Sequence, residues 1–219
     1  MTEKIETINA YFKGAAGKKP ADERRTNDYY PTPPYATYAL GTYVDLAGKR
    51  VLEPAAGRGW MARELSAMGA TVTARDLFHQ DDLLFPVETG VDFTEAGLLG
   101  EFDAVVTNPP YKKSMAEKFV RKSLSTGVRC TAILARLAFF ESQGRFKLFT
   151  EHPPSLVLPF SRRFSCTESM FDSDPFGGML PYAWFVWEEG NIDTRVRWID
   201  STSAHREWSR ARNKEQNSA

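Results

Sequence analysis

The residues best suited to chemistry lie at the end of the stretch 102–111, where Asn108, Pro109, Pro110 and Tyr111 follow one another. Asn108 has a side-chain carbonyl that accepts hydrogen bonds. The backbone carbonyl of Pro109 has no neighbouring N–H to compete for it, because Pro110 follows. Two acceptors beside the flat ring of Tyr111 suit a substrate with a planar NH2 group. The alternative interpretation is a strand that simply ends in a proline turn.

The residues around this group predict how it is positioned. Residues 102–107 contain a short β-branched, apolar run that is typical of a buried parallel strand. Pro109 and Pro110 end the strand, and the residue before a proline is kept out of the helical region, so Asn108 is restricted as well. The sequence therefore predicts a rigid elbow at the carboxyl end of a strand, where open α/β sheets hold their ligands.

Asn-Pro-Pro-Tyr after a buried strand resembles the catalytic motif of S-adenosylmethionine-dependent amino-methyltransferases, above all the DNA N6-adenine enzymes of the small phage or prophage type. The resemblance implies that Asn108, Pro109, Pro110 and Tyr111 are catalytic. Asn108 and Pro109 would accept hydrogen bonds from the adenine amine and stabilise charge developing on its nitrogen. Tyr111 would stack on a target base turned out of the duplex.

Residues 50–59, a short apolar strand followed by a glycine-bearing turn, resemble the cofactor motif of the same family. Gly57 and Gly59 predict a turn in which the backbone can approach a ligand closely, and a helix over 60–68 follows. A second strand ends at Asp76, about 20 positions further on, where an acidic residue usually holds ribose hydroxyls.

Glu53 distinguishes this loop from a dinucleotide-binding loop. A carboxylate there would repel a pyrophosphate, whereas it can attract the sulfonium and amino groups of S-adenosylmethionine. The resemblance places the neighbouring residues Pro54, Ala55 and Leu77 in the cofactor site as well.

Tyr30 and Thr32 lie in the proline-rich stretch 28–34, which is extended and stiff. It resembles the segment that packs on the methionine end of the cofactor in these enzymes, so both residues are candidates for cofactor contact, as is Asn108. A plain proline-rich linker is the alternative.

Asp92 and Phe93 follow a predicted third strand over 86–91. The family has a residue pair at this point that meets the cofactor adenine, so Asp92 would accept from its amine and Phe93 would border its ring. Asp92 also suits the N-cap of a helix over 95–99. The two roles are compatible.

Three side chains are candidates for contact with the substrate. Lys112 and Lys113 follow the elbow and would bind a phosphate beside the target nucleotide, unless they are solvated surface charges. Phe164 follows a predicted strand and matches loosely a family aromatic that faces the target base, although the sequence favours a core position for it. The Gly/Pro-rich loop 165–181 is the predicted lid over the substrate.

The order of elements predicts a Rossmann-like α/β domain over residues 28–200. We expect a mostly parallel seven-stranded sheet with an antiparallel final strand, helices on both faces, and an edge strand over 195–199. Residues 1–27 form either a short docked helix or an arm that orders on nucleic acid or over the cofactor. Residues 201–219 form a basic tail, either helical or disordered.

Composition limits the class of protein. The chain has 219 residues, of which 42% are hydrophobic and 26% charged, and its formal net charge is zero. These values are typical of one soluble domain and argue against a strongly basic nucleic-acid coat. Cys130 and Cys166 match neither a zinc site nor a disulfide framework. No signal peptide or membrane span is predicted, so we expect a cytoplasmic protein.

The motif leaves the substrate open. Enzymes that methylate an RNA base or a protein glutamine amide share it, because each substrate presents a planar nitrogen. Basic residues beside the elbow and in the tail favour nucleic acid, most simply DNA. A non-enzymatic binding module with this fold is a further alternative. No metal is expected, and neither His79 nor His205 is obviously placed as a base. We recognise no separate target-recognition domain in the sequence. Either the enzyme has weak sequence preference, or a partner protein or the loop 165–181 supplies it.

Overall fold

The computed structural model of the protein describes residues 30–96, 101–112, 114–166, 176–191 and 193–218. Several predictions fall wholly or partly outside these residues: the arm 1–27, the helix over 95–99, Lys113 and the central part of the loop 165–181.

The described residues form one mixed sheet of eight strands in the order β3-β2-β1-β4-β5-β7-β6-β8. The strands are β1 (Arg50–Glu53), β2 (Thr71–Asp76), β3 (Val87–Thr89), β4 (Ala104–Thr107), β5 (Cys130–Arg136), β6 (Leu156–Pro159), β7 (Tyr182–Glu188) and β8 (Arg195–Val196). Only β7 runs antiparallel to its neighbours, β5 and β6. This confirms the predicted fold class, and the short β8 adds the expected edge strand.

Helices cover both faces of the sheet. They are α1 (Pro34–Gly41), α2 (Trp60–Ala67), α3 (Met115–Ser125), α4 (Phe146–Glu151) and α5 (Ser201–Ser218). Residues of α1, α2 and α5 pack in one apolar cluster, and residues of α3 and α4 pack in another. Because side chains alternate along a strand, Val106 points into the first cluster and Val105 into the second. All four residues of β4 are buried, which explains the apolar run in the sequence.

The segment after β5 is less regular than its sequence suggests. The composition of residues 141–149 favours one helix, but two short 3-10 turns, Leu137–Phe140 and Gln143–Arg145, precede α4. The guanidinium of Arg145 donates to the backbone carbonyls of Ala138, Phe139 and Glu141 at 2.7–3.0 Å. These bonds fold the chain back on itself, and a continuous helix could not make them.

The C-terminal tail forms a helix because its first turn is capped by a side chain and other side chains along it bind the rest of the domain. The carboxylate of Asp200 accepts from the backbone N–H groups of Thr202 at 3.0 Å and Ser203 at 3.3 Å, and from the Ser203 hydroxyl at 2.8 Å. This is a helix N-cap, and these bonds hold the pKa of Asp200 below its usual value.

Further along α5, Arg212 forms an ion pair with the buried carboxylate of Glu64 on α2. The indole N–H of Trp208 also donates to Glu64, at 3.1 Å. The expected basic tail is therefore attached to the domain by one of its own arginines.

Within the described ranges, no helix has the length and apolar character that crossing a membrane requires.

Arg212→Ala should lower the free energy of unfolding by about 3 kcal/mol, because it leaves the Glu64 carboxylate buried without its cation. Urea denaturation followed by circular dichroism would measure the loss. Arg210→Ala removes an exposed arginine from the same helix and is the matched control. Equal unfolding midpoints for the two variants would show that the ion pair does not hold α5 in place.

Candidate active site

The carboxyl ends of β1, β2 and β4 meet the extended segment before α1 around one cavity of about 260 Å³. Most of the residues proposed from the sequence line it: Tyr30, Thr32, Glu53, Pro54, Ala55, Asp76, Leu77, Asp92, Phe93, Asn108, Pro110 and Lys112. Parallel strands that neighbour one another place their carboxyl ends at the same sheet edge, which explains why residues so distant in sequence meet here.

Glu53, the last residue of β1, is 2% exposed. Its Oε2 atom has no hydrogen-bond partner within the described residues. Burial raises the pKa of Glu53 well above its usual value, and the nearby Asp76 carboxylate raises it further. A buried carboxylate with an unpaired oxygen on a cavity wall suits a cationic ligand group.

Asp76, the last residue of β2, is fixed by backbone donors. Its Oδ2 accepts from the N–H of Gly57 at 2.7 Å, and its Oδ1 accepts from the N–H of Phe78 at 2.8 Å. Burial raises the pKa of Asp76 above its usual value, against the effect of these bonds. Each carboxylate oxygen keeps a second lone pair. Asp76 can therefore still accept from ligand hydroxyl groups.

The two loop glycines have a role within the protein itself, and their contact with the cofactor stays a prediction. Neither Gly57 nor Gly59 lines the cavity. Both have positive φ angles, 54° and 88°, and Gly57 uses its N–H to hold Asp76. A Cβ on Gly59 would lie 2.6 Å from the Cβ of Phe85. Glycine is therefore required at position 59 because Phe85 of the protein itself lies close to the backbone there.

Asp92 and Phe93 both lie on the cavity wall. Oδ1 of Asp92 accepts from the backbone N–H and the hydroxyl of Thr94, at 2.8 and 2.7 Å, and the hydroxyl bond lowers the pKa of Asp92. Phe93 packs on Phe119 with ring centroids 5.1 Å apart. Asp92 thus caps the following turn while remaining within reach of a ligand, as the sequence allowed.

Asn108 is the most completely bonded side chain of the elbow. Its Nδ2 donates to the backbone carbonyl of Tyr30 at 3.1 Å and to the hydroxyl of Thr32 at 3.0 Å. Its Oδ1 accepts from the Tyr111 hydroxyl at 2.6 Å. The amide is therefore held in one orientation, with its carbonyl oxygen directed towards Tyr111.

Tyr111 does not offer a free ring in this structure. Its ring centroid lies 5.0 Å from that of Tyr30 and 5.9 Å from that of Tyr182. The guanidinium carbon of Arg136 lies 4.9 Å from the ring centroid. Burial raises the pKa of Tyr111 well above its usual value. The predicted stacking surface is thus present but covered.

Phe164, proposed as a substrate contact, is a core residue. Its side chain is 1% exposed and stacks on the Tyr182 ring at a centroid distance of 4.9 Å and an interplanar angle of 19°. Further edge contacts come from Tyr35 and Phe160. Phe164 therefore has almost no exposed surface on which a base could stack, and its contact with the substrate stays a prediction.

Several residues of the site were not predicted. Residues that line the cavity without a recognisable motif are Trp60, Met61, Phe78, Gln80, Val91, Met115 and Phe119. Phe78 and Gln80 follow Asp76 so closely that their position after a strand could have indicated them. Arg136 could have been found in the same way, as a charged residue that ends an apolar strand.

Comparison with known proteins identifies the fold. No protein-family model matches the sequence, and neither does any curated protein sequence. Among solved structures, a Vibrio vulnificus protein described as the modification subunit of a type I restriction enzyme is similar with a TM-score of 0.56 and 14% identity. That alignment covers 89% of this chain but only 50% of the subunit, so the chain spans half the subunit's length.

Two other structures have similar folds. A Pyrococcus horikoshii protein described as an RNA methyltransferase gives a TM-score of 0.53 at 15% identity, covering 78% of this chain and 91% of that one. The 23S rRNA methyltransferase ErmE gives a TM-score of 0.50 at 16% identity. That alignment covers 84% of this chain and 78% of ErmE. At these identities the similarity shows the fold: the chain has the Rossmann-like fold of methyltransferases.

Gly59→Ala should destabilise the protein more than Gly48→Ala. Both glycines have positive φ, which costs an alanine about 1–2 kcal/mol, but only position 59 adds a clash with Phe85. Overpacking of this kind costs about 1–3 kcal/mol more. Thermal unfolding of the two variants would measure the difference. Equal losses would mean that Phe85 moves aside without cost.

Proposed function

We propose that the protein transfers a methyl group from S-adenosylmethionine to the N6 amine of adenine in DNA. The observation that carries the proposal is the position of Asn108. Its amide is fixed beside a cavity whose other walls bear Glu53 and Asp76, at the carboxyl end of the central strand β4. That arrangement suits the transfer of a group between a ligand in the cavity and a planar amine at the elbow.

The cavity fits the cofactor because its polar atoms match the groups of S-adenosylmethionine. The unpaired Oε2 of Glu53 suits the cationic methionine end, and the free lone pairs of Asp76 suit ribose hydroxyls. Asp92 can accept from the adenine amine, while Phe93 and Phe119 provide an apolar wall. When bound, S-adenosylmethionine supplies an electrophilic methyl group.

Asn108 and Pro109 would act on the acceptor amine. The lone pair of that amine is delocalised into the ring, which makes the nitrogen a poor nucleophile. Accepting hydrogen bonds from its two N–H groups holds the nitrogen in position and stabilises the positive charge that develops on it. Oδ1 of Asn108 is already an acceptor, of the Tyr111 hydroxyl. Exchange of that hydroxyl for the substrate amine needs no rotation of the amide.

Tyr111 would lose its hydrogen bond to Asn108 when the substrate binds. The ring is held by the Asn108 hydrogen bond and by contacts with Tyr30, Tyr182 and Arg136. Once the amine replaces the hydroxyl on Asn108, the ring is free to stack on the extruded base.

Two alternatives remain distinct hypotheses. An RNA base or a protein glutamine amide presents a similar planar nitrogen, and the fold is shared by proteins described as a restriction-enzyme modification subunit and as an RNA methyltransferase. Lys112 on the cavity wall and the arginines that follow β5 and β6 favour nucleic acid over a protein loop. The second alternative, a catalytically inactive binding module, is less well supported because Glu53, Asp76 and Asn108 line one cavity together.

Incubation with tritiated S-adenosylmethionine and DNA, RNA or total protein in parallel tests the proposal directly. We expect label in DNA, recovered as N6-methyladenine after digestion. Label only in RNA or in protein would favour the corresponding alternative, and no label in any pool would favour the binding module.

Asn108→Ala should slow methyl transfer on the order of 100- to 1000-fold, since it removes one pre-organised partner of the developing charge. Cofactor affinity should fall less than the rate, because the acceptor oxygen of Asn108 is the group assigned to the substrate amine, whereas its NH2 group only holds Tyr30 and Thr32 on the cavity wall. Single-turnover rates and calorimetry measure the two effects separately. Asn191→Ala, on an exposed turn, is the matched control. A near wild-type rate in the Asn108 variant would remove the elbow from the mechanism.

Glu53→Gln should weaken cofactor binding about tenfold at a pH above the raised pKa of Glu53, since it removes the charge that faces the cation. Because burial raises that pKa, the carboxylate gains its charge only above the usual range of a glutamate, so wild-type affinity should increase as the pH rises through the raised pKa. The variant should show a smaller increase. Calorimetry on both sides of this pKa checks both points, with the exposed Glu207→Gln as control. Identical pH profiles would exclude Glu53 as the cation partner.

A further inference from the structure

Arg136 ends β5 directly beside the catalytic elbow. In the β4–β5 pairing, Thr107 lies opposite Ile133, so the residues after β4 run alongside the end of β5. The Arg136 guanidinium carbon lies 4.9 Å from the centroid of the Tyr111 ring. The side chain is otherwise exposed, and within the described part of the chain no carboxylate lies at salt-bridge distance from it. An exposed cation therefore covers the ring of the elbow tyrosine, with no carboxylate partner among the described residues.

The guanidinium of Arg136 lies over the Tyr111 ring, which is the surface on which the target base is proposed to stack. Tyr111 is bounded by Tyr30 and by Tyr182, which is buried and stacked on Phe164. Of the groups around the ring, Arg136 is the one that is exposed and on a long side chain, so it can leave without disturbing the core. A guanidinium and a nucleobase are both flat and both stack on aromatic rings, so they compete for the same surface.

We propose that Arg136 binds the phosphate next to the target base, and that in the free enzyme its guanidinium covers the surface of Tyr111 on which that base stacks. This inference rests on the proposed function and identifies a residue that selects nucleic acid as substrate. A planar guanidinium that loses its place on the ring still has its full charge, and a phosphate beside the incoming base is the partner that matches it best.

The neighbouring cations lie on the same edge of the sheet. Lys112 lines the cavity after β4, and Arg162 and Arg163 follow β6. Since β5 and β6 both run antiparallel to β7, their carboxyl ends share this edge. Arg136 thus lies between Lys112 and the arginine pair in the order of the strands. A row of cations in this order suits the phosphate backbone of a nucleic acid that passes over the elbow.

The test compares Arg136→Ala with Arg129→Ala. Arg129 precedes the opposite end of the same strand, and its side chain forms an exposed ion pair at 4.0 Å from Glu189. Fluorescence anisotropy with labelled single- and double-stranded oligonucleotides of mixed sequence, over a range of salt concentrations, measures affinity and its salt dependence. Methyl transfer to the same oligonucleotides and to adenosine, which has no phosphate, gives kcat and KM for a charged and a neutral acceptor.

Arg136→Ala should weaken oligonucleotide binding about tenfold and reduce the slope of log affinity against log salt by about 0.7–0.9. KM for the oligonucleotide should rise more than kcat falls, and activity on adenosine should not decrease. Arg136→Lys should restore the salt slope, because the charge returns. Arg129→Ala should resemble the wild type in every measurement.

An unchanged salt slope and affinity in Arg136→Ala would overturn the inference while leaving the proposed function intact, provided the wild type methylates the oligonucleotide. Equal losses of activity on adenosine and oligonucleotide, with no change in slope, would overturn it too, since they indicate a purely structural contact with Tyr111. A wild type that neither binds nor methylates nucleic acid would refute the proposed function and this inference together.

Discussion

The arrangement of the site depends on the three hydrogen bonds of the Asn108 amide. They connect the segment before α1, the end of β4 and the ring of Tyr111, parts of the chain that are up to 78 residues apart. The two prolines after Asn108 remove the backbone N–H groups that would otherwise compete for nearby acceptors and limit the conformations of the turn. A single side chain can therefore set the position of both the cavity wall and the stacking ring.

Much of the site was predictable because it follows from local rules. An apolar strand, a glycine turn and an acidic residue at the end of the next strand predict a ligand site at one sheet edge, and the cavity is bounded by Glu53, Asp76 and Asn108 as expected. The sheet was predictable for the same reason, since buried strands and amphipathic helices each leave a periodic pattern in the sequence.

The remaining features depend on contacts between elements that are distant in sequence. Nothing local to Phe164 indicates that Tyr182, across the sheet, stacks on it, and nothing local to Tyr111 indicates that Arg136 covers it. The segment after β5 has the composition of a helix, but the carbonyl bonds of Arg145 override that preference. Such contacts are set by strand order and register, which a single sequence does not specify in advance.

The unpaired oxygen of Glu53 also has a consequence for the protein without its ligand. The carboxylate is solvated in the unfolded chain and buried in the folded one, so its ionisation lowers the free energy of unfolding as the pH rises through its raised pKa. A cation that occupies the cavity removes this penalty and binds only the folded state. Occupancy of the cavity and stability of the whole domain are therefore thermodynamically linked, and the domain is most easily unfolded when its cavity holds no cation.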